Sequence, residues 1–172
     1  MAGSLAEEFV TYLVADRKLS PKTIESYSHD LAQFGEFLSS KGRDIEKPGE
    51  IDYLAIRDFM TYLASRGYSR RSIARKQACL RTFFKYLCSG EVLSANPAAE
   101  VATPKLEKKL PQFLEEREIG VLLQQPDASS TLGMRDRAIL ETIYATGLRV
   151  GELASLDVSD IDYSVGYVVI MG

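Results

Sequence analysis

Apolar positions in the first hundred residues recur at helical spacing and are punctuated by capping residues, a pattern that predicts a bundle of helices. Ser4 and Glu7 form a capping box, and Leu5, Phe9, Val10, Leu13 and Val14 follow as one stripe running to about Arg17. Ser20-Pro21 supplies an N-cap and a proline at the first helical position, after which Ile24, Tyr27, Leu31, Phe34 and Leu38 keep the period until Gly42. Lys47-Pro48-Gly49 interrupts it. Asp52 then caps a third helix carrying Ile56, Phe59 and Leu63 and ended by Gly67, and Ser69 caps a fourth in which Ile73, Leu80, Phe84 and Leu87 share one face. A short turn of helix is expected after Asn96-Pro97.

From Thr103 to Pro111 two prolines bracket a charged segment without periodicity, which is how a linker reads. Beyond it, Ile119, Leu122 and Leu123 predict a helix over Glu115–Gln124. Ala138, Ile139, Ile143 and Tyr144 predict another from Met134 to Ala145, stopped by Gly147, and a short helix follows through Glu152 and Leu156. Tyr167 to Met171 reads as a β-strand, and a lone strand is unstable without partners, so the second unit reads as cut off where its sheet begins. The expected organisation is mainly α. It comprises a helical domain of four or five helices over residues 1–102, a linker over 103–112, and over 113–172 the helical start and first strand of an incomplete α+β domain.

Charge changes the picture more than composition does. The formal net charge is -3, yet from Phe59 to Gly90 there is no acid, while Arg66, Arg70, Arg71, Arg75, Lys76, Arg81 and Lys85 contribute +7. From Glu115 onward four basic residues face ten acids. A block as one-sided as 59–90 suits a phosphate-facing surface, with a merely solvated basic face as the plainer alternative. On the fourth helix the side opposite the apolar face carries Arg71, Arg75, Ala78, Thr82 and Lys85, with Ala74 beside them. Small residues between basic ones let a helix approach a major groove while the long side chains reach phosphates or guanine edges. Arg70 at the helix start and Lys76 nearer the apolar edge join the set, Lys76 with the smaller expected part. Opposite the stripe of the second helix lie Lys22, Ser26, His29 and Gln33, with Thr23 beside Lys22. Lys22, Thr23 and Ser26 are candidate DNA contacts, ordinary solvent exposure being the alternative. If four to six phosphates are neutralised, log K is expected to fall with log[salt] at a slope of about -4 to -5.

No apolar run reaches bilayer length, and residues 1–8 lack the basic start and apolar centre of a signal peptide, so a cytoplasmic location is expected. Cys79 and Cys88, nine apart in one helix, read as reduced thiols. His29 is the single histidine, so neither a metal cluster nor a bound cofactor is expected.

Arg149 follows the helix-stopping Gly147 at the start of a new helix, where its five-donor fork and the free amides of a helix start suit a phosphate. The whole stretch Tyr144-Ala145-Thr146-Gly147-Leu148-Arg149-Val150-Gly151-Glu152-Leu153 resembles the tyrosine recombinases, also called phage-integrase-type recombinases, and within them the bacterial Xer group. The resemblance extends over Ser20-Pro21-Lys22-Thr23 with Tyr27 and Asp30-Leu31, the basic helix from Arg70 to Leu87, Asn96-Pro97, and Arg135-Asp136-Arg137-Ala138-Ile139-Leu140.

The resemblance implies a SAM-like core-binding domain and a catalytic domain that clamp duplex DNA, cut and rejoin it through a 3′-phosphotyrosyl link, and assemble as a homo- or hetero-tetramer of protomers on two sites. Between chromosome-dimer resolution and mobile-element integration, the Xer resemblance favours the former as the task. Arg149 matches the first catalytic arginine, which contacts the scissile phosphate, and Glu152 the acidic residue that supports it. The family's hairpin lysine, histidine-x-x-arginine motif and nucleophilic tyrosine have no counterpart, since Tyr144, Tyr163 and Tyr167 fall at the wrong places. The chain therefore reads as an N-terminal fragment, expected to bind DNA and not to cleave it. Two other classes compete. One is a non-catalytic DNA-binding regulator using the third and fourth helices around Gly67 and Ser69, which leaves Arg149 and Glu152 without a task. The other is a helical module whose basic face meets an acidic protein.

Overall fold

Four helices begin on the capping residues that the sequence supplies. Ser4 Oγ accepts from the Glu7 amide at 3.2 Å while Glu7 Oε2 accepts from the Ser4 amide at 3.0 Å, which opens α1, Leu5–Ala15. Ser20 caps α2 (Pro21–Ser40), Asp52 caps α3 (Tyr53–Ser65) and Ser69 caps α4 (Arg70–Ser89), each accepting an amide from the first turn. Such a cap contributes about 0.5–2 kcal/mol, which is why these starts are sharp. The computed structural model describes residues 4–17, 19–105, 110, 112–162 and 164–170. The chain divides into two units, Met1–Lys108 and Lys109–Gly172. Part of the expected linker, Tyr163 and the end of the expected strand at Met171 lie outside the described residues.

The first unit closes around Phe9, Phe34, Phe59, Phe83 and Phe84, all fully buried. Phe9 of α1 meets Phe83 of α4 edge to face with centroids 5.3 Å apart, Tyr12 stacks on Tyr86 at 4.8 Å, and Phe34 of α2 leans on Phe59 of α3 at 5.0 Å. Such pairs add about 0.5–1.5 kcal/mol each beyond their burial. The stripe expected on α1 is narrower than its sequence: Phe9 and Leu13 are buried and Val14 is exposed.

After α4 the chain does not form the expected turn of helix at Asn96-Pro97. Residues 97–100 are turns and bends, because side chains take the carbonyls that a helix would use. Arg81 donates from Nε to the Ala98 carbonyl at 3.2 Å, from Nη2 to the Val101 carbonyl at 2.6 Å and from Nη1 to Thr103 Oγ1 at 3.0 Å. Gln77 Nε2 also donates to the Val101 carbonyl, and Asn96 ties its own amide group to the Arg81 carbonyl and the Ala98 amide. Arg81 thus straps residues 98–103 onto α4 and is withdrawn from the basic surface. Arg81→Ala removes three charge-assisted bonds, each worth about 1.5–3 kcal/mol. Hydrogen exchange at residues 98–103 is expected to quicken by roughly tenfold or more. Unchanged exchange there would contradict the strap.

The second unit contains α5 (Glu116–Leu123), α6 (Thr131–Thr146) and α7 (Val150–Ala154). Ser130 caps α6 three residues earlier than the apolar pattern suggests, accepting from the Gly133 amide at 3.0 Å. A Cβ at Gly133 would lie 2.0 Å from the Asp127 carbonyl oxygen, so the loop before α6 closes over a position that admits only glycine. The expected strand is shorter than Tyr167–Met171 and is not alone. β1 (Ile161–Asp162) pairs antiparallel with β2 (Tyr167–Val168), Ile161 opposite Val168 and Asp162 opposite Tyr167. Among the described residues of this unit only Gly133 and Leu148 are buried, while Val121, Leu132, Val150 and Val165 are exposed. The mainly α architecture expected from the sequence is found.

Candidate nucleic-acid interface and catalytic corner

On α4 the side chains sort by helical phase. Ile73, Leu80, Phe83, Phe84 and Leu87 are buried, while Arg71, Arg75, Ala78 and Lys85 are exposed, with Ala74 and Thr82 half-buried between them. Arg71 and Lys85 have no partner among the described residues. Thr82 Oγ1 donates back to the Ala78 carbonyl at 2.9 Å. Burial raises the Tyr27 phenol above its ordinary value. Arg70 lies on another flank, lining a cleft with Tyr53, Arg57, Met60 and Pro104.

Lys76 is a correction. It is 2% exposed, its Nζ donates to Asp30 Oδ1 at 2.7 Å, and it lies 5.5 Å over the Tyr68 ring, so it serves the interior rather than a groove. Its place between Ile73 and Leu80, three residues after one and four before the other, puts it on the buried face. Sequence reasoning missed its partner Asp30, which is 1% exposed on α2. The available signal was an acid next to Leu31 inside an apolar stripe. Asp30 also binds Arg75, whose Nη1 donates to Oδ2 and, at 3.3 Å, to the Ser26 carbonyl. One carboxylate therefore joins the middle of α2 to the exposed face of α4. Cys79, in the same layer, is pushed well above the ordinary thiol range by burial and by Asp30, which leaves it an unreactive core residue.

The other α2 candidates are less committed. Lys22 pairs with Glu25 at 2.7 Å with both side chains largely exposed, a contact of little stabilising value that a phosphate can replace. Thr23 Oγ1 lies 2.9 Å from Ser20 Oγ at the cap. His29 is exposed, whereas Gln33 donates to the Tyr68 hydroxyl at 2.7 Å and is turned to the protein.

In the second unit, Gly147 ends α6 in the left-handed region at φ 69°, which an L side chain adopts only with strain, and its amide returns to the Ile143 carbonyl at 2.8 Å. The buried Leu148 anchors the turn, and Arg149 is the residue before α7. Glu152 grips Arg149 twice: Oε2 accepts its backbone amide at 2.8 Å and Oε1 accepts from Nη1 at 2.7 Å. The Arg149 side chain stays 85% exposed. Since α7 has only five residues, Glu152 rather than a long helix dipole orients this arginine. The bonds from Arg149, backbone first, hold the Glu152 carboxyl below the ordinary carboxylate value of 4.5. A depressed folded pKa means that the clamp is intact at neutral pH, survives acidification through the ordinary carboxylate range and opens below it. In a carbon-13 titration the Glu152 midpoint is expected below 4.5; a midpoint at or above that value would contradict the clamp.

Among the described residues no group of three or more His, Cys, Asp or Glu side chains could hold a metal ion, and no helix is long and apolar enough to cross a membrane.

Comparison with known proteins gives the same two parts. Residues 6–90 match the phage integrase N-terminal SAM-like domain, and residues 112–172 match the phage integrase family. The chain is 41% identical over 169 residues to tyrosine recombinase XerC of Pelotomaculum thermopropionicum, covering 96% of this chain and 55% of that protein. It is 38% identical over 169 residues to tyrosine recombinase XerD of Listeria monocytogenes, covering 98% and 56%. The chain spans about half the length of the curated relatives it matches. Among solved structures it is similar in fold to a lambda integrase (75–356) dimer bound to a COC′ core site, with TM-score 0.67, 18% identity, and coverage of 97% of this chain and 60% of that one. With both parts matched in order and with relatives near 40% identity, the chain belongs to the tyrosine recombinase, or phage integrase, family.

Proposed function

We propose that residues 1–172 are the DNA-binding portion of a site-specific, Xer-type tyrosine recombinase that acts in the cytoplasm. The observation that carries it is the exposed face of α4, where Arg71, Arg75 and Lys85 stand among small residues in a chain of net charge -3. In this reading residues 1–102 grip the duplex, 103–112 link, and 113–172 bring Arg149 to the scissile phosphate. Attack on a phosphodiester by a tyrosine hydroxyl builds negative charge on the non-bridging oxygens. A preoriented guanidinium meets that charge without a metal, and arginines in such positions contribute about 10³–10⁵ in rate. Glu152 keeps Arg149 in place and leaves most of the guanidinium open to the phosphate.

Chromosome-dimer resolution by a tetramer of protomers on two sites is the task that fits the Xer relatives. A regulator without chemistry is disfavoured because it has no use for the Arg149–Glu152 pair. Of the family's catalytic set, residues 1–172 supply Arg149 and Glu152. As an isolated polypeptide they are expected to bind duplex DNA at low salt and to form no covalent adduct on a denaturing gel. Arg149→Ala is expected to leave affinity within about threefold, since one exposed contact contributes little to ground-state binding. A covalent adduct, or a loss beyond about tenfold from Arg149→Ala, would contradict these assignments.

A further inference from the structure

Arg75 differs from its neighbours on the exposed face of α4 in being held. Its Nη1 is occupied by Asp30 Oδ2 and the Ser26 carbonyl. The other oxygen of Asp30 accepts from the buried Lys76, so the carboxylate cannot turn away without stranding an ammonium in the core. The Arg75 side chain is nevertheless 41% exposed, and its Nε and Nη2 have no acceptor among the described residues. Arg71, one turn earlier, and Lys85, further along the same face, have no comparable restraint.

This difference separates two kinds of DNA contact. Phosphate attraction is sequence-independent and tolerates a mobile side chain, whereas reading a base edge requires donors fixed in direction. With Nη1 taken, Arg75 presents its Nε–Nη2 edge as two parallel donors. In the major groove guanine offers the matching pair of acceptors, O6 and N7. Ala74 and Ala78, flanking Arg75 on the helix surface, leave room for that approach. We propose that Arg75 is a specificity-determining residue that reads a guanine in the major groove, aimed by Asp30 as its positioning residue, while Arg71 and Lys85 hold the phosphate backbone. The inference rests on duplex binding through the α4 face.

Selection from a duplex library randomised over about twenty positions, a span of roughly two helical turns, tests it with residues 1–172 and with single variants. The unaltered protein is expected to enrich one position for guanine by about tenfold or more over the other bases. Arg75→Ala should flatten that position, and Lys85→Ala should weaken binding to all sequences alike while keeping the guanine. Asp30→Asn, with its helical circular dichroism retained, should shrink the preference more than it shrinks total binding. Where that variant fails to fold, Arg75→Lys carries the same comparison, because it keeps the charge and loses the fork. A guanine preference that survives Arg75→Ala overturns the proposal, as does an unaltered protein that binds duplex without any guanine position. Failure of the unaltered protein to bind duplex at all overturns the DNA-binding function together with it.

Discussion

Asp30→Ala is expected to destabilise the first unit by about 3–5 kcal/mol, a loss that follows from what it leaves behind. Lys76 is 2% exposed, and its ammonium has Asp30 and the face of Tyr68 as its surroundings. Without the carboxylate a charge remains in the core with a single weak cation–π contact, worth about 0.5–2 kcal/mol. Arg75, 41% exposed, can relax into water. For a unit of this size each kcal/mol shifts the melting temperature by about 4–8 °C, so Asp30→Ala should melt at least about 12 °C lower. Adding Lys76→Met should recover most of the loss, because an apolar side chain of similar length replaces a buried ion pair at little cost. A melting shift of less than about 4 °C for Asp30→Ala, or no recovery in the double variant, would show that the pair is not the buried contact described here.

The second large effect is on binding. Arg71→Glu combined with Lys85→Glu changes the charge of the α4 face by four units at two exposed positions that have no partner among the described residues. Duplex affinity at low salt is expected to fall by more than about hundredfold, since the phosphate term supplies most of non-specific binding. Thermal stability should fall by no more than about 0.5 kcal/mol, because both positions are exposed and an acid at Arg71, in the first turn of α4, suits the helix dipole. Anisotropy with a labelled duplex and a melting curve read the two sides. A loss below about threefold would remove this face from the interface.

What could be read from the sequence was what one helix decides for itself. Ser4, Ser20, Asp52 and Ser69 cap the helices they were expected to cap, and the stripe Ile73, Leu80, Phe84 and Leu87 is buried as its period requires. The exposed positions of Arg71, Arg75 and Lys85 follow from the same period. Lys76 and Arg81 did not follow, for a shared reason. A basic residue within a basic helix looks like part of the charged surface until its partner is known, and those partners come from elsewhere in the chain: Asp30 for Lys76, and the carbonyls of Ala98 and Val101 for Arg81. Asn96-Pro97 misled in the same way, since the Arg81 side chain takes the Ala98 and Val101 carbonyls and the segment is held as turns and bends. In the second unit, β1 has only two residues, too few for any alternation to show.

The sorting of the basic residues also changes what binding should look like. Lys76 is internal, Arg81 is committed to the strap, and Arg75 shares its charge with Asp30. About three phosphates, rather than four to six, are then the expected count for Arg71, Lys85 and the flanking Lys22. The salt dependence of duplex binding tests this most directly. Measured by anisotropy from about 50 to 200 mM salt, log K against log[salt] should be linear with a slope near -3. A flat line, or no binding at the lowest salt, would contradict the assignment of the α4 face to duplex DNA.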